Sequence, residues 1–243
     1  MLHHFSELSL FNDQLISLSE SKMLINTLNA HSFNIAQTDE DYAKSLISCD
    51  VLLPDGISVV YAMRLLYGKQ FEKIAGADLF FYEMNRLNKI RGKCFFLGSN
   101  VETLKRISIQ AKKHYPHVKV ASYSPPYKAE FNNWDNQQML TEINTYKPDV
   151  LFIGMTAPKQ EKWAYKHFQK LEVGHVCNIG AVFDFFAGTV SRSPQWMIRA
   201  GFEWLYRLLR EPRRMWRRYI IGNTKFVYYV FKEFVYYNFY QSS

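Results

Sequence analysis

Several polar groups in this sequence sit where an apolar run gives way to a turn, so their side chains or backbone N–H groups are free to meet a ligand. Pro54-Asp55-Gly56 ends the run Val51-Leu52-Leu53. Proline and glycine fix the loop, and a carboxylate held there can act as a general base; the same residues also make an ordinary Asp-Gly turn. An aspartate of ordinary acidity, with a pKa near ~3.9, is a weak base, so Asp55 would have to work through desolvation and positioning. Gly98-Ser99-Asn100 joins a strand pattern to a helix pattern. It could offer N–H groups to a phosphate or ribose, or serve only as a tight turn. It lacks the G-x-G-x-x-G spacing of a dehydrogenase-type dinucleotide site. Pro158-Lys159-Gln160-Glu161 places proline in the first turn of a helix whose free N-terminus favours anions, although a helix start alone accounts for these residues.

Metal chemistry finds little support. Asp39-Glu40-Asp41 resembles an acidic metal-binding triplet. With Thr38 ahead of it and Asp41 three residues on, it reads instead as a helix cap with acids in the first turn. His3-His4 and His114/His117 read as surface positions, and no metal or other cofactor is expected. Cys49, Cys94 and Cys177 are sparse and widely spaced, which points to a reducing compartment and away from a disulfide framework. Residues 1–11 carry no signal-peptide pattern, and the apolar run 226–240 is interrupted by Lys232-Glu233. It falls short of the roughly 20 residues a membrane span needs, so a soluble or peripheral protein is expected.

Charge is distributed unevenly. Of the net +8, the stretch 192–225 holds +7, with nine basic residues against Glu203 and Glu211. Such a cationic arm expects phosphate, whether in nucleic acid, anionic lipid or a diphosphate substrate. Arg207, Arg210, Arg214, Arg217 and Arg218 recur at steps of three and four, so a continuous helix would bring several onto one face. Leu205, Leu208, Leu209, Trp216 and Tyr219 between them make it amphipathic, as suits a membrane interface.

These groups need a scaffold. Strand patterns at 50–54, 93–97, 118–122, 149–153 and 175–179 alternate with helix patterns at 101–114, 137–144 and 159–171. That alternation predicts an α/β, Rossmann-like, mainly parallel sheet with helices on both faces, whose loops gather ligands at the carboxyl ends of the strands. The 243 residues suffice for one substantial core plus an appendage. From Pro194 the character changes to aromatic and basic residues at helical spacing. We therefore divide the chain into an α/β core, 1–193, and a C-terminal helical appendage, 194–243, suited to a membrane surface.

Taken in order, the motifs resemble the WecG/TagA/CpsF glycosyltransferases, glycosyltransferase family 26. The matching residues are Thr27-Leu-Asn29-Ala30, Leu52-Leu-Pro-Asp-Gly56, Ala75-Gly-Ala-Asp78, Phe96-Leu-Gly98 and Pro158-Lys-Gln-Glu161. Gly180-Ala-Val-Phe-Asp-Phe185 with Ala187-Gly188, Arg192-Ser-Pro194, Glu203-Trp-Leu-Tyr-Arg207, Glu211-Pro-Arg-Arg214 and Arg217-Arg218-Tyr219 follow. The resemblance covers roughly residues 20 to 225.

It implies inverting transfer of a sugar, an N-acetylmannosamine type or another hexose, from UDP to a polyprenyl-diphosphate-linked sugar in teichoic acid, capsule or other surface polysaccharide synthesis. Asp55 falls on the family's proposed catalytic base, and Thr27 joins it as a catalytic candidate. Asn29 lines the same pocket with Gly56 and Gly98, Gln160 matches a pocket glutamine, and Asp184 lies near the nucleotide. Arg207, Arg214 and Arg217 match appendage arginines that hold the diphosphate. The resemblance thus implies that the core is catalytic and that the appendage completes its active site. Lys73 stands where the family has arginine, a point charge in place of a planar fork. The glycine-rich lead into Pro158 reads Gly154-Met-Thr-Ala157. The implied partners are the UDP-sugar, the lipid-linked acceptor and an anionic membrane surface on the cytoplasmic side, with no nucleic acid and a homo-oligomer left open. The rival readings are a nucleic-acid or anionic-lipid binding module using the basic tail, and a nucleotide-sugar-modifying enzyme such as an epimerase. The first leaves the ordered loop motifs unexplained and the second lacks its glycine fingerprint.

Overall fold

A computed structural model describes residues 2, 4–191 and 193–240, without the side chains of Gln195, Arg199, Arg214, Phe239 and Tyr240. The expectations for His3 and for Arg192 lie outside the described residues. The first half runs β1 (Met23–Leu28), α1 (Ala30–Ala36), α2 (Glu40–Ile47), β2 (Val51–Pro54), α3 (Ile57–Tyr67), α4 (Gly76–Ile90), β3 (Lys93–Gly98) and α5 (Val101–His114). Then come β4 (Lys119–Tyr123), α6 (Asn133–Tyr146), β5 (Val150–Gly154), α7 (Lys159–His167), β6 (His175–Asn178) and α8 (Val182–Phe186). The chain closes with α9 (Gln195–Arg199), α10 (Glu203–Arg210), α11 (Pro212–Trp216), a π-helical turn (Arg217–Ile221) and α12 (Gly222–Tyr240).

The strands form one six-stranded sheet, ordered β2-β1-β6-β5-β3-β4, and every pairing is parallel. The α/β expectation holds. Strands β2, β5 and β6 are buried almost throughout, which is why they read as unbroken apolar runs and not as alternating ones. Phe96 and Phe152 project to one face, where they meet Phe80 and Phe183 from α4 and α8. Phe95, Leu97, Leu151 and Ile153 project to the other and meet Met139, Ile143 and Trp163 from α6 and α7. Two helical layers thus sandwich the sheet.

Strand β1 has no counterpart among the strand patterns picked from the sequence. It is a central strand, yet it carries a fully buried polar residue, Asn26. Asn178 on β6 donates its Nδ2 to the Asn26 Oδ1 at 2.6 Å, and Asn26 Nδ2 donates to the Ser45 carbonyl at 2.9 Å. These two bonds satisfy both ends of the Asn26 amide and offset the cost of burying it, while the Asn178 Oδ1 stays buried without a partner, so a polar interruption that argues against a core strand is accommodated. At α2 the N-cap is Asp39, whose carboxylate accepts from Tyr42 N at 2.9 Å, one residue later than a Thr38 cap would place it. Asp39 also pairs with Lys162 at 3.0 Å.

The continuous arginine face does not form. Pro212 begins α11, Glu211 leaves helical geometry at φ −131, and the π-helical turn follows, so the arginines are dealt onto different directions. Beyond them α12 packs on α1 and α3: Phe226 and Val230 are buried with Phe5, Phe33 and Val59. The buried Glu233 carboxylate accepts from Phe5 N at 3.0 Å and from the Tyr67 hydroxyl. The last helix is therefore held by the core's own apolar and polar contacts.

Candidate active site

The carboxyl ends of β1, β2, β5 and β6 open into one cavity of about 870 Å³, a volume suited to a nucleotide-sized ligand. Its floor is made by the loops that follow these strands. Thr27 stands at the end of β1 and Asn29 caps α1, its Oδ1 accepting from His31 N and Ser32 N at 3.1 Å each. Asp55 follows β2 directly, its N–H donating to the Leu28 carbonyl at 2.8 Å, so the carboxylate is anchored between the two strand ends. Gly56 adopts φ +142, and a Cβ there would lie 3.4 Å from the Asn29 Cβ. Only glycine takes that conformation readily, and it turns the chain into α3 against the cap of α1.

Asp55 keeps one edge open to the cavity while protein surrounds the rest. Burial raises its carboxyl to about 6, helped by the Glu203 carboxylate and opposed by Lys73, the Asn29 amide and Arg218. A carboxyl of that acidity is mostly ionised near neutrality and is a better proton acceptor than an ordinary aspartate.

Gln160 and Glu161, in the first turn of α7, also line the cavity. Gln160 Oε1 accepts from Met155 N at 3.1 Å, and its Nε2 donates to Glu161 Oε1 at 2.8 Å, which fixes the orientation of the carboxamide. Glu161 is only 2% exposed, and its Oε2 is buried without a hydrogen-bond partner. Burial lifts this carboxyl to about 7, against the stabilising bonds from Gln160 and its own backbone N–H.

The C-terminal helices roof the cavity. Arg207 on α10 lies over the Phe185 ring, 5.4 Å from its centroid, and its buried Nε has no hydrogen-bond partner. Asp184, adjacent on α8, and Lys73 also face the cavity. Lys73 pairs with Glu203 at 3.6 Å.

Of the residues singled out from the sequence, the structure thus brings together Thr27, Asn29, Asp55, Gly56, Lys73, Gln160, Asp184 and Arg207. Gly98 lies just beneath, where a Cβ would meet the Gly154 carbonyl oxygen at 2.6 Å; its neighbours Ser99 and Asn100 line the cavity in its place. Arg217 is outside, exposed over the Trp216 ring, and Arg218 lines the cavity instead. The side chain of Arg214 lies outside those described. Sequence reasoning named Arg218, Glu161 and Glu203 within motifs without giving them a place in the site, and passed over His31. His31 lines the cavity, and burial together with the nearby Arg218 lowers its imidazole to about 4. Glu161 had a signal, as the acid beside Gln160; His31 had none. Among the described residues no group of three or more His, Cys, Asp or Glu is placed to hold a metal ion.

Comparison with known proteins gives a consistent picture. The model of the Glycosyl transferase WecG/TagA/CpsF family matches residues 4–238. An N-acetylglucosaminyldiphosphoundecaprenol N-acetyl-beta-D-mannosaminyltransferase of Bacillus subtilis (strain 168) is 33% identical over 210 residues, covering 86% of this chain and 79% of the relative. The protein of the same description from Bacillus spizizenii is 32% identical, with 81% and 74% covered. That from Staphylococcus aureus (strain MW2) is 26% identical, with 82% and 76% covered.

Proposed function

This chain is a glycosyltransferase belonging to the WecG/TagA/CpsF family, and from that premise we propose that it moves an N-acetylmannosamine-type sugar from UDP to a polyprenyl-diphosphate-linked N-acetylglucosamine, with inversion. The names of the similar bacillary and staphylococcal proteins support the acceptor and the sugar. The observation that carries the chemistry is the Asp55 carboxyl, raised to about 6 and open on one side to the cavity.

In this reading Asp55 takes the proton of the acceptor hydroxyl as that oxygen attacks the anomeric carbon and the bond to UDP breaks. Positioned base catalysis of this kind contributes about 10² to 10⁴-fold. Gln160, with its carboxamide fixed by Met155 and Glu161, presents a preset polar edge to the sugar. Arg207 and Arg218, which line the cavity, supply positive charge for the departing diphosphate, as preorganised donors aimed at developing charge do. Asp184 lies beside Arg207 on the nucleotide side.

We place the enzyme on the cytoplasmic face of the membrane as a peripheral protein. Exposed Val227, Tyr228 and Phe231 on α12, with Ile220 and Trp216 before it, lie among Arg213, Arg217 and Lys225. Apolar and aromatic groups interleaved with cations suit an anionic interface. No helix among the described residues is long and apolar enough to cross a membrane. The test is release of UDP when UDP-N-acetylmannosamine is added with a synthetic polyprenyl-diphosphate N-acetylglucosamine. Product carrying the β-linked sugar is expected. Binding of liposomes or nucleic acid without any sugar transfer would reverse the assignment.

A further inference from the structure

Three charged groups from three separate parts of the chain meet in the lining of the cavity. Asp55 follows β2. Lys73 is placed beside it because the next residue, Ile74, donates its N–H to the Pro54 carbonyl at 3.1 Å. Glu203 arrives from the far end of the sequence. The turn before α10 is pressed onto the start of α3, so close that a Cβ on Gly201 would lie 3.2 Å from Ile57 Cγ2. That contact delivers the Glu203 Oε2 to 3.6 Å from Lys73 Nζ, with the two side chains only 25% and 20% exposed.

We propose that Glu203 is a positioning residue of the transfer: its carboxylate holds Lys73 in a shared arrangement beside Asp55, and so makes the proton-accepting state of Asp55 depend on the C-terminal helices being seated. The inference rests on the reading of Asp55 as the base.

The physical reason is the ratio of charges. One ammonium paired with Asp55 alone would stabilise its charged form and leave it a poor base. With Glu203 sharing that ammonium, the Lys73 charge is divided between two carboxylates and a second negative charge faces Asp55. The other groups facing Asp55 are Asn29 at the α1 cap and Arg218 of the π-helical turn, both of which favour its charged form. His31 on α1 is uncharged at neutral pH, and Glu161 and Gln160 line the same cavity. Glu203 is the group that works against the cations from the roof. The C-terminal segment, cationic in bulk, thus contributes an acid at the one place where an acid sharpens the base.

The experiment follows the Asp55 carboxyl by carbon NMR of the protein labelled at aspartate, its signal assigned by loss in Asp55→Asn, alongside the pH profile of kcat. The Asp55 midpoint, about 6 in the parent, should fall towards the ordinary aspartate range in Glu203→Gln and rise in Lys73→Met. Glu203→Asp, which keeps the charge, should restore most of the parent midpoint. The acid limb of kcat should move with each midpoint, and plateau turnover in Glu203→Gln should drop about tenfold, a fraction of full base catalysis. An Asp55 midpoint that stays put in folded Glu203→Gln, or in folded Lys73→Met, overturns the proposal. Should the midpoints move while the acid limb stays fixed, the assignment of Asp55 as base falls and the Glu203–Lys73 clamp upon it stands.

Discussion

The two ends of the sheet treat buried carboxylates in opposite ways. At the amino end Glu83, fully buried on α4, gives one oxygen to His175 Nδ1 at 2.7 Å and the other to Arg86 Nε at 2.8 Å. The His175 Nε2 meets the Ser19 carbonyl at 2.8 Å, so both ring nitrogens face acceptors and the ring serves best as an imidazolium donating twice. At the carboxyl end Asp55 and Glu161 have no such completion: burial raises both, and one Glu161 oxygen has no partner. Buried charge is satisfied where the fold needs anchoring and left short of partners where a ligand must bind. Perturbed acids in a cleft are the physical mark of a functional site, and perturbed groups at the sealed end are the mark of a clamp.

The sharpest way to break this contrast is to neutralise one acid at each end. Asp55→Asn should cut kcat by about 10² to 10⁴-fold while donor binding, followed by calorimetry, changes little. Unchanged turnover in a folded variant would remove Asp55 from the chemistry. Glu83→Gln should do the reverse. It leaves the His175 and Arg86 charges without their buried counter-ion, a loss of roughly 3–5 kcal/mol of stability in chemical denaturation, with turnover per folded molecule preserved. The effect should depend on pH. Burial alone lowers the His175 pKa, but the Glu83 carboxylate and the Ser19 carbonyl outweigh burial and the opposing Arg86, so the net shift is upward. A group raised on folding stabilises fully below its unfolded value of 6.5 and loses that contribution as pH rises through its folded value. The parent should therefore lose stability as pH rises above 6.5, and Glu83→Gln should lose less over the same range.

Within the roof, Arg207 and Arg217 make a smaller contrast. Arg207→Ala should lower kcat/KM about 10 to 100-fold, the scale of a lost charge-assisted contact to the leaving group, while Arg217→Ala stays near the parent on a soluble acceptor. Equal losses in the two variants would mean that the arginines act as a general cationic field.

The strand-end loops were legible in the sequence because local rules govern them. Asp55 between proline and glycine and Gln160 in a first helical turn are set by their immediate neighbours, whereas Asn29, after a strand the pattern did not show, entered through the family resemblance alone. The sheet was legible for the same reason, except where Asn178 donates to Asn26 across two strands far apart in the chain. The roof was legible in composition only. Residues 217 and 218 are neighbours that point in different directions, and which one faces the cavity depends on a break at Pro212 and a π-helical turn that no spacing rule supplies. Glu203 is invisible for a related reason. Its meaning comes from Lys73, 130 residues earlier in the chain, through the contact of Gly201 with Ile57.

The finest test concerns Glu161, because it separates a cost in stability from a benefit at the site. Its carboxyl titrates near 7 in the fold against 4.5 when exposed, and burial is the cause. The folded state therefore favours the protonated acid. Its contribution is fully present below 4.5 and is lost as pH rises through about 7. This has the same sign as the His175 contribution at the other end, so the parent's decline with pH sums two sources that single variants can part. Glu161→Gln keeps an oxygen to accept from Gln160 Nε2 and puts a neutral amide where the second oxygen was. Urea denaturation should show parent and variant nearly equal at pH 4.5 and the variant more stable above pH 7, by about 1–3 kcal/mol. Turnover should change less than in Asp55→Asn, since the Gln160 carboxamide remains oriented. A stability difference that does not vary between pH 5 and 8 would show that Glu161 does not titrate there, and the contrast between the two ends of the sheet would then rest on Asp55 alone.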